Sequence, residues 1–205
     1  MRKIKIAVLV SGGGTNLQAL IDAQKAGVIK HGEISVVISG NPEAYALTRA
    51  ANAGISTAVV SKKLLGGSQE AFEAGILTEI EKAGAEIIVL AGFMSILSES
   101  FTSRFPRRIL NVHPALIPSF CGKGFYGLHV HEAALAYGVK VTGATVHFVN
   151  EIPDGGEIIL QKAVDVHAGD TPETLQRRVM EEAEWKILPA ATEMVCRDLL
   201  ANENM

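Results

Sequence analysis

Residues 5–17 read Lys5-Ile6-Ala7-Val8-Leu9-Val10-Ser11-Gly12-Gly13-Gly14-Thr15-Asn16-Leu17. The apolar run is too short for a signal peptide and passes straight into three glycines. A helical pattern follows over 17–26, with Leu17, Leu20 and Ile21 on one face. Buried strand, glycine turn and amphipathic helix, in that order, make the first half of a βαβ unit. Further along, strand-like runs at 34–39, 57–60, 87–90 and 109–112 alternate with helical stretches at 41–53 and 68–83. In the first of those stretches Asn41-Pro42 reads as an N-cap and first helical position. Such alternation predicts a parallel sheet joined by right-handed crossovers.

The second half changes character. Strand-like runs at 141–149 and 158–166 are separated by Glu151-Ile152-Pro153-Asp154-Gly155-Gly156. That connection is too short for a crossover helix, so the two strands should pair antiparallel. Thr171-Pro172 then opens a long final helix, with Thr171 as N-cap. The expected fold is α/β: a Rossmann-like, mostly parallel twisted sheet with helices on both faces and a C-terminal antiparallel strand pair. One domain is expected over 1–205, in two halves at 1–110 and 111–205.

Of the 205 residues, 48% are hydrophobic and 20% charged, which is enough apolar surface to build a sizeable core. The formal net charge of −3 supplies no broad attraction to phosphate backbones or anionic lipid, arguing against nucleic-acid and membrane partners. No apolar run is long enough to cross a bilayer. Cys121 and Cys196 form neither a CxxC pair nor a zinc spacing, as expected of a cytoplasmic protein.

Three segments could carry chemistry. The glycine turn lets backbone approach a ligand, and the free N–H groups of the following helical turn favour an anion. A dinucleotide fingerprint would need glycine where Leu17 stands, and a Walker loop Gly-Lys-Ser/Thr, so what remains is another kind of phosphate cradle or a plain tight turn. Asn111-Val112-His113-Pro114 follows an apolar strand at its carboxyl end, where open parallel sheets bind ligands. Two residues apart on a strand, Asn111 and His113 can face one reacting group, the amide donating to an oxyanion and the imidazole moving protons. The alternative is a turn-capping asparagine beside an ordinary histidine. Asp154 sits in an Asp-Gly turn, where aspartate is common for conformational reasons alone. Beside His113 it would stabilise the imidazolium and raise the histidine pKa.

Other candidates read less well. In His129-Val130-His131-Glu132 helical positions two apart diverge, so a loop leading into a helix at 132–137 is the better reading than a metal site. His147 reads as a hydrogen-bonded support, Trp185 as packing, and Cys121 lacks a histidine partner.

Taken together, Val10-Ser11-Gly12-Gly13-Gly14-Thr15-Asn16-Leu17-Gln18, Leu90-Ala91-Gly92-Phe93-Met94 with Ile96-Leu97-Ser98, Asn111-Val112-His113-Pro114-Ala115-Leu116-Ile117-Pro118, and His147-Phe148-Val149 running on to Asp154-Gly155-Gly156 resemble the glycinamide ribonucleotide formyltransferase family of purine synthesis. The resemblance spans most of the chain. It implies a cytoplasmic enzyme, monomer or homodimer, that moves the formyl group of 10-formyltetrahydrofolate to the amine of glycinamide ribonucleotide without a metal. It implies a catalytic set of Asn111, His113 and Asp154, with the acceptor phosphate on the backbone of Gly14, Thr15 and Asn16 and its ribose at Glu184. The folate is expected against Met94, Ser95, Ile96 and Leu97 and at Asn111, with its pterin near the 150–154 loop, including Asn150 and Asp154, which makes 1–110 the phosphate-binding half and 111–205 the catalytic and folate-binding half. Relatives often carry arginines where this chain has Gln69 and Ser95, beside the folate's glutamate tail. The 119–127 stretch is longer than in many relatives, and its glycines and Lys123 suit a mobile flap.

The same resemblance leaves three alternatives: a formyltetrahydrofolate hydrolase, another formyl acceptor such as a charged tRNA, or a non-catalytic nucleotide-binding module. The hydrolases usually add an N-terminal domain and the tRNA enzymes a C-terminal one. A chain that opens on its first core strand and closes after one helix is expected to be neither.

Overall fold

The structure is a computed structural model and describes residues 2–203. Its centre is a seven-stranded sheet of β1 (Ile4–Val10), β2 (Gly32–Ser39), β3 (Ser56–Val59), β4 (Ile87–Leu90), β5 (Ile109–His113), β6 (Val141–Phe148) and β7 (Ile158–Asp165), in the order β3-β2-β1-β4-β5-β6-β7. The first five strands are parallel, and β6 and β7 run antiparallel, as the short 151–156 connection requires. From β1 the chain goes outward to β2 and β3, then crosses to β4 on the other side. The switch point therefore lies between the carboxyl ends of β1 and β4, where such sheets open a crevice.

Alternation along β1 splits the core in two. Ile6, Val8 and Val10 pack on one face with Leu17, Leu20 and Ile21 of α1 (Thr15–Lys25), Ala46 and Ala50 of α2 (Tyr45–Asn52), and the C-terminal helices. Ala7 and Leu9 pack on the other with Phe72, Ile76 and Ile80 of α3 (Gln69–Ala83) and Phe101 of the short α4 (Glu99–Thr102). Period-2 strands against period-3.6 helices account for both clusters.

Local chemistry moved two boundaries. The helix expected from Asn41-Pro42 begins at Tyr45, because the Asn41 side chain accepts from Glu43 N–H at 3.0 Å and holds a turn ahead of it. The helix expected at 132–137 begins four residues earlier, as α5 (Leu128–Tyr137), and takes in both His129 and His131. The final helix does start at Thr171-Pro172, with a reciprocal cap between Thr171 and Thr174. It comprises α6 (Pro172–Val179), a π-helical turn Met180–Glu184, and α7 (Trp185–Glu203). Among the described residues no helix is long and apolar enough to cross a membrane.

Candidate active site

Three strand ends converge on the crevice. After β1 comes the glycine turn. Gly14 has φ 74, and a Cβ there would lie 2.6 Å from the Cβ of Ala46, so α2 can seat against the turn only because residue 14 is glycine. Ala46 N–H donates to Gly12 carbonyl at 3.1 Å and Arg49 Nε to Gly13 carbonyl at 2.8 Å. The turn's carbonyls thus face α2. The N–H groups of Thr15 and Asn16, in the first turn of α1, lack intrahelical acceptors. The Asn16 side chain lines the crevice, whereas that of Thr15 turns toward Met180, with Oγ1 3.9 Å from its sulfur.

After β4 the strap 92–98 crosses the crevice. Met94 N–H donates to Ser11 Oγ at 2.9 Å, tying the strap to the glycine turn. Met94 and Ile96 are 59% and 70% exposed, an apolar wall facing open space, whereas Leu97 is buried.

After β5, Asn111 and His113 project on the same side. The antiparallel partner β6 sets His147 directly opposite Asn111. Asn111 Nδ2 lies 3.2 Å from His147 Nε2, and His147 Nδ1 lies 2.8 Å from Phe148 carbonyl. A carbonyl only accepts, which puts the His147 proton on Nδ1 and makes Nε2 the acceptor from Asn111. One Asn111 N–H is thereby fixed and the second is left for a ligand.

Asp154 completes the group. Its φ of 57 lies in the left-handed region, which aspartate tolerates, and the turn doubles back over β6 so closely that a Cβ at Gly156 would lie 1.7 Å from Phe148 carbonyl. This places Asp154 Oδ2 3.5 Å from His113 Nδ1 and Oδ1 3.5 Å from His147 Nε2. The 119–127 segment reaches the same pair: His113 Nε2 donates to Phe120 carbonyl at 2.8 Å, and Gly122 N–H donates to Asp154 Oδ2 at 2.8 Å. The expected flap is thus latched to the imidazole and the carboxylate.

The electrostatics correct one expectation. Burial lowers the His113 pKa, and the charge of Asp154, which acts to raise it, only partly offsets that effect. The imidazole is neutral near pH 7. Burial acts to raise the Asp154 pKa but is outweighed by the His147 contact, the Gly122 N–H and the two imidazoles, so the carboxyl titrates below its ordinary value. Behind them His131 is fully buried, with neither ring nitrogen hydrogen-bonded, and its pKa falls to about 4 through desolvation and the nearby His113.

Glu184 reaches the opposite wall from the π-helical turn, a distortion frequent at functional sites. Asn16 Nδ2 donates to its carboxylate at 2.7 Å, while Asn16 Oδ1 is buried without a partner. Burial pushes the Glu184 carboxyl up to about 7, against the Asn16 hydrogen bond.

The main cavity, ≈ 690 Å³, brings together Asn16, Met94, Ser95, Ile96, Asn111, His113, Asp154 and Glu184. A side chamber of ≈ 130 Å³ adds Leu97, Asn150 and His147. Gln69 lines neither. It lies in a groove behind the strap, bonded to Glu73 and to Ile96 carbonyl. Reading the sequence missed the roles of Ser11 and Glu73 beneath the strap. Ser11 stands at the head of the glycine turn, but a serine hydroxyl gives no sign in sequence of which distant N–H it meets.

A crevice at the switch point of an α/β sheet thus brings together an amide, an imidazole and a carboxylate. The chain matches the Formyl transferase family over residues 4–192 and belongs to it. It is 46% identical over 95% of its length to the trifunctional purine biosynthetic protein adenosine-3 of Homo sapiens, of which it covers 18%. It thus spans about a fifth of the length of the trifunctional relatives it matches. It is 42% identical over 87% of its length to the phosphoribosylglycinamide formyltransferase of Escherichia coli (strain K12), covering 81% of that protein. Among solved structures, glycinamide ribonucleotide transformylase 1 from Symbiobacterium toebii superimposes with a TM-score of 0.88 at 42% identity, over 96% of this chain and 89% of that one.

Proposed function

We propose that this chain transfers the formyl group of 10-formyltetrahydrofolate to the amine of glycinamide ribonucleotide. The carrying observation is the meeting of Asn111, His113 and Asp154 at one wall of a cleft whose far wall is Asn16 and Glu184. A cavity of ≈ 690 Å³ with an apolar strap suits an aromatic donor, and the ≈ 130 Å³ side chamber beside Asn150 suits the edge of its pterin. The N–H groups of Gly14, Thr15 and Asn16 at the start of α1 suit a phosphate, and the Glu184 carboxylate suits vicinal hydroxyls.

In this reading the attacking amine and the donor's formyl carbon meet beside His113. Charge grows on the formyl oxygen, where the free N–H of Asn111 donates to it. His113 is neutral in the closed cleft, and growth of negative charge beside it, together with ionised Asp154, favours taking up a proton. Asp154 stabilises that imidazolium through Nδ1, and the proton lost by the attacking amine passes by way of Asp154 to the donor's nitrogen as the bond between that nitrogen and the formyl carbon breaks and tetrahydrofolate leaves. Before His113 or Asp154 can serve the substrates, the latches at Phe120 and Gly122 must yield.

Purified protein supplied with both substrates should release tetrahydrofolate and formylglycinamide ribonucleotide in equal amounts, followed by absorbance and mass spectrometry. Formate release that does not depend on the acceptor would make the chain a hydrolase. No loss of donor under any condition would end the proposal.

A further inference from the structure

The strap presents the apolar wall of the cleft; Phe93 and Leu97 pack onto the core beneath it, but Met94 and Ile96, which form the wall itself, are mostly exposed. Where those two wall residues stand, hydrogen bonds to the strap's backbone set its path. One is Met94 N–H to Ser11 at the near end. The others lead to a single buried side chain. Glu73, on the second turn of α3 and 6% exposed, accepts Ser98 N–H at 2.7 Å, the Ser98 hydroxyl at 2.5 Å and Gln69 Nε2 at 2.6 Å. The same Gln69 nitrogen donates to Ile96 carbonyl at 3.1 Å, and the Gln69 carbonyl accepts from Lys62 at 2.7 Å.

Helix capping does not explain this carboxylate. The N-terminus of α3 is capped by Ser68, which accepts from Ala71 N–H at 3.1 Å, and Ser98 itself caps α4. An ionised carboxylate is acceptor-only and can take three converging donors, whereas an amide in its place would turn an N–H toward one of them. Its pKa is lowered: burial acts to raise it, but Ser98, Gln69 and Lys62 together outweigh that.

We infer that Glu73, which lines no part of the reaction cleft, is a positioning residue for the formyl donor: through Ser98 and Gln69 it sets the height of the strap at Ile96, and so the shape of the wall on which the folate lies. This rests on the reading of the site as a formyltransferase. It concerns donor affinity alone, because the acceptor wall and the catalytic group are built on other elements.

The test compares wild type with Glu73→Gln and Gln69→Met, the second cutting the link to Ile96 while leaving the carboxylate in place. Breaking charge-assisted hydrogen bonds of this kind should weaken the donor side about tenfold. The KM for 10-formyltetrahydrofolate and the Kd for tetrahydrofolate, by calorimetry, should both rise by that factor in both variants. The acceptor KM and kcat should stay within about twofold of wild type. Unchanged donor KM and folate Kd in folded Glu73→Gln overturn the inference, as does a loss shared equally by donor and acceptor. If wild type binds tetrahydrofolate but transfers nothing, the proposed function fails, and the calorimetric comparison still decides the role of Glu73.

Discussion

His113 Nδ1 and Asp154 Oδ2 meet at 3.5 Å, the first carried on the carboxyl tip of β5 and the second on a turn held in the left-handed region. Burial pulls the histidine's affinity for protons down, and the carboxylate pulls it partly back. Asp154→Asn removes the second pull. The His113 pKa should therefore fall below its wild-type value, visible as an NMR titration moved to lower pH. Turnover should drop by roughly 10²- to 10⁴-fold, as for loss of a general base. A titration moved to higher pH, or a near-wild-type rate, would contradict the pairing.

Asn111 has one N–H committed to His147 and one left for the formyl oxygen. Asn111→Ala should lower kcat on the order of 10²- to 10³-fold with little change in either KM, since the interaction strengthens only as charge develops. Steady-state kinetics with each substrate varied will show whether kcat or KM carries the loss.

Glu184 should trade stability for acceptor binding. Its folded pKa of about 7 lies above the ordinary 4.5, so the fold favours the protonated carboxyl. Its contribution is fully present below pH 4.5 and is lost as pH rises through about 7. Glu184→Gln should thus raise the unfolding free energy at pH 8, by at most about 3 kcal/mol, and change it little at pH 5. The acceptor KM should rise in the same variant. Denaturant unfolding at the two pH values, beside kinetics, checks both halves.

His131 acts in the opposite direction. Buried with both nitrogens unpartnered, it has a folded pKa of about 4 against an ordinary 6.5. The stability it permits is present above pH 6.5 and is lost as pH falls toward about 4. His131→Leu removes that proton-linked loss and the buried unpaired donor, so its unfolding midpoint should change less than wild type's between pH 7 and pH 5. An equally steep decline in both proteins would show that the imidazole is not the group being titrated.

Signals that live within a few residues were legible along the chain. Strand and helix periods gave the parallel strands, and the short 151–156 link required an antiparallel pair. The spacing of Asn111 and His113 put both on one side of β5, and Gly12-Gly13-Gly14 marked the turn at the first switch. The named residues of the cleft came from the family's motif order, and most of them line one cavity. Gln69, expected beside the folate's glutamate tail, lies in a groove behind the strap, and Gly14 and Thr15 likewise line neither the main cavity nor its side chamber. Local competition misled twice: Asn41 spends its side chain on a turn, and the helix of His131 starts before the histidines rather than after them.

The linear order of residues was sufficient for the sheet's topology and the inventory of reactive groups, because both follow from short-range patterns of size, polarity and backbone freedom. Three-dimensional packing was needed to fix the charge on each group. His113 is neutral although a carboxylate faces it, Glu184 holds its proton near pH 7 from a π-helical turn, and Glu73 stays ionised beneath a strap it never touches in sequence. Each outcome balances desolvation against partners brought from distant segments, and neither quantity exists until the chain has closed on itself.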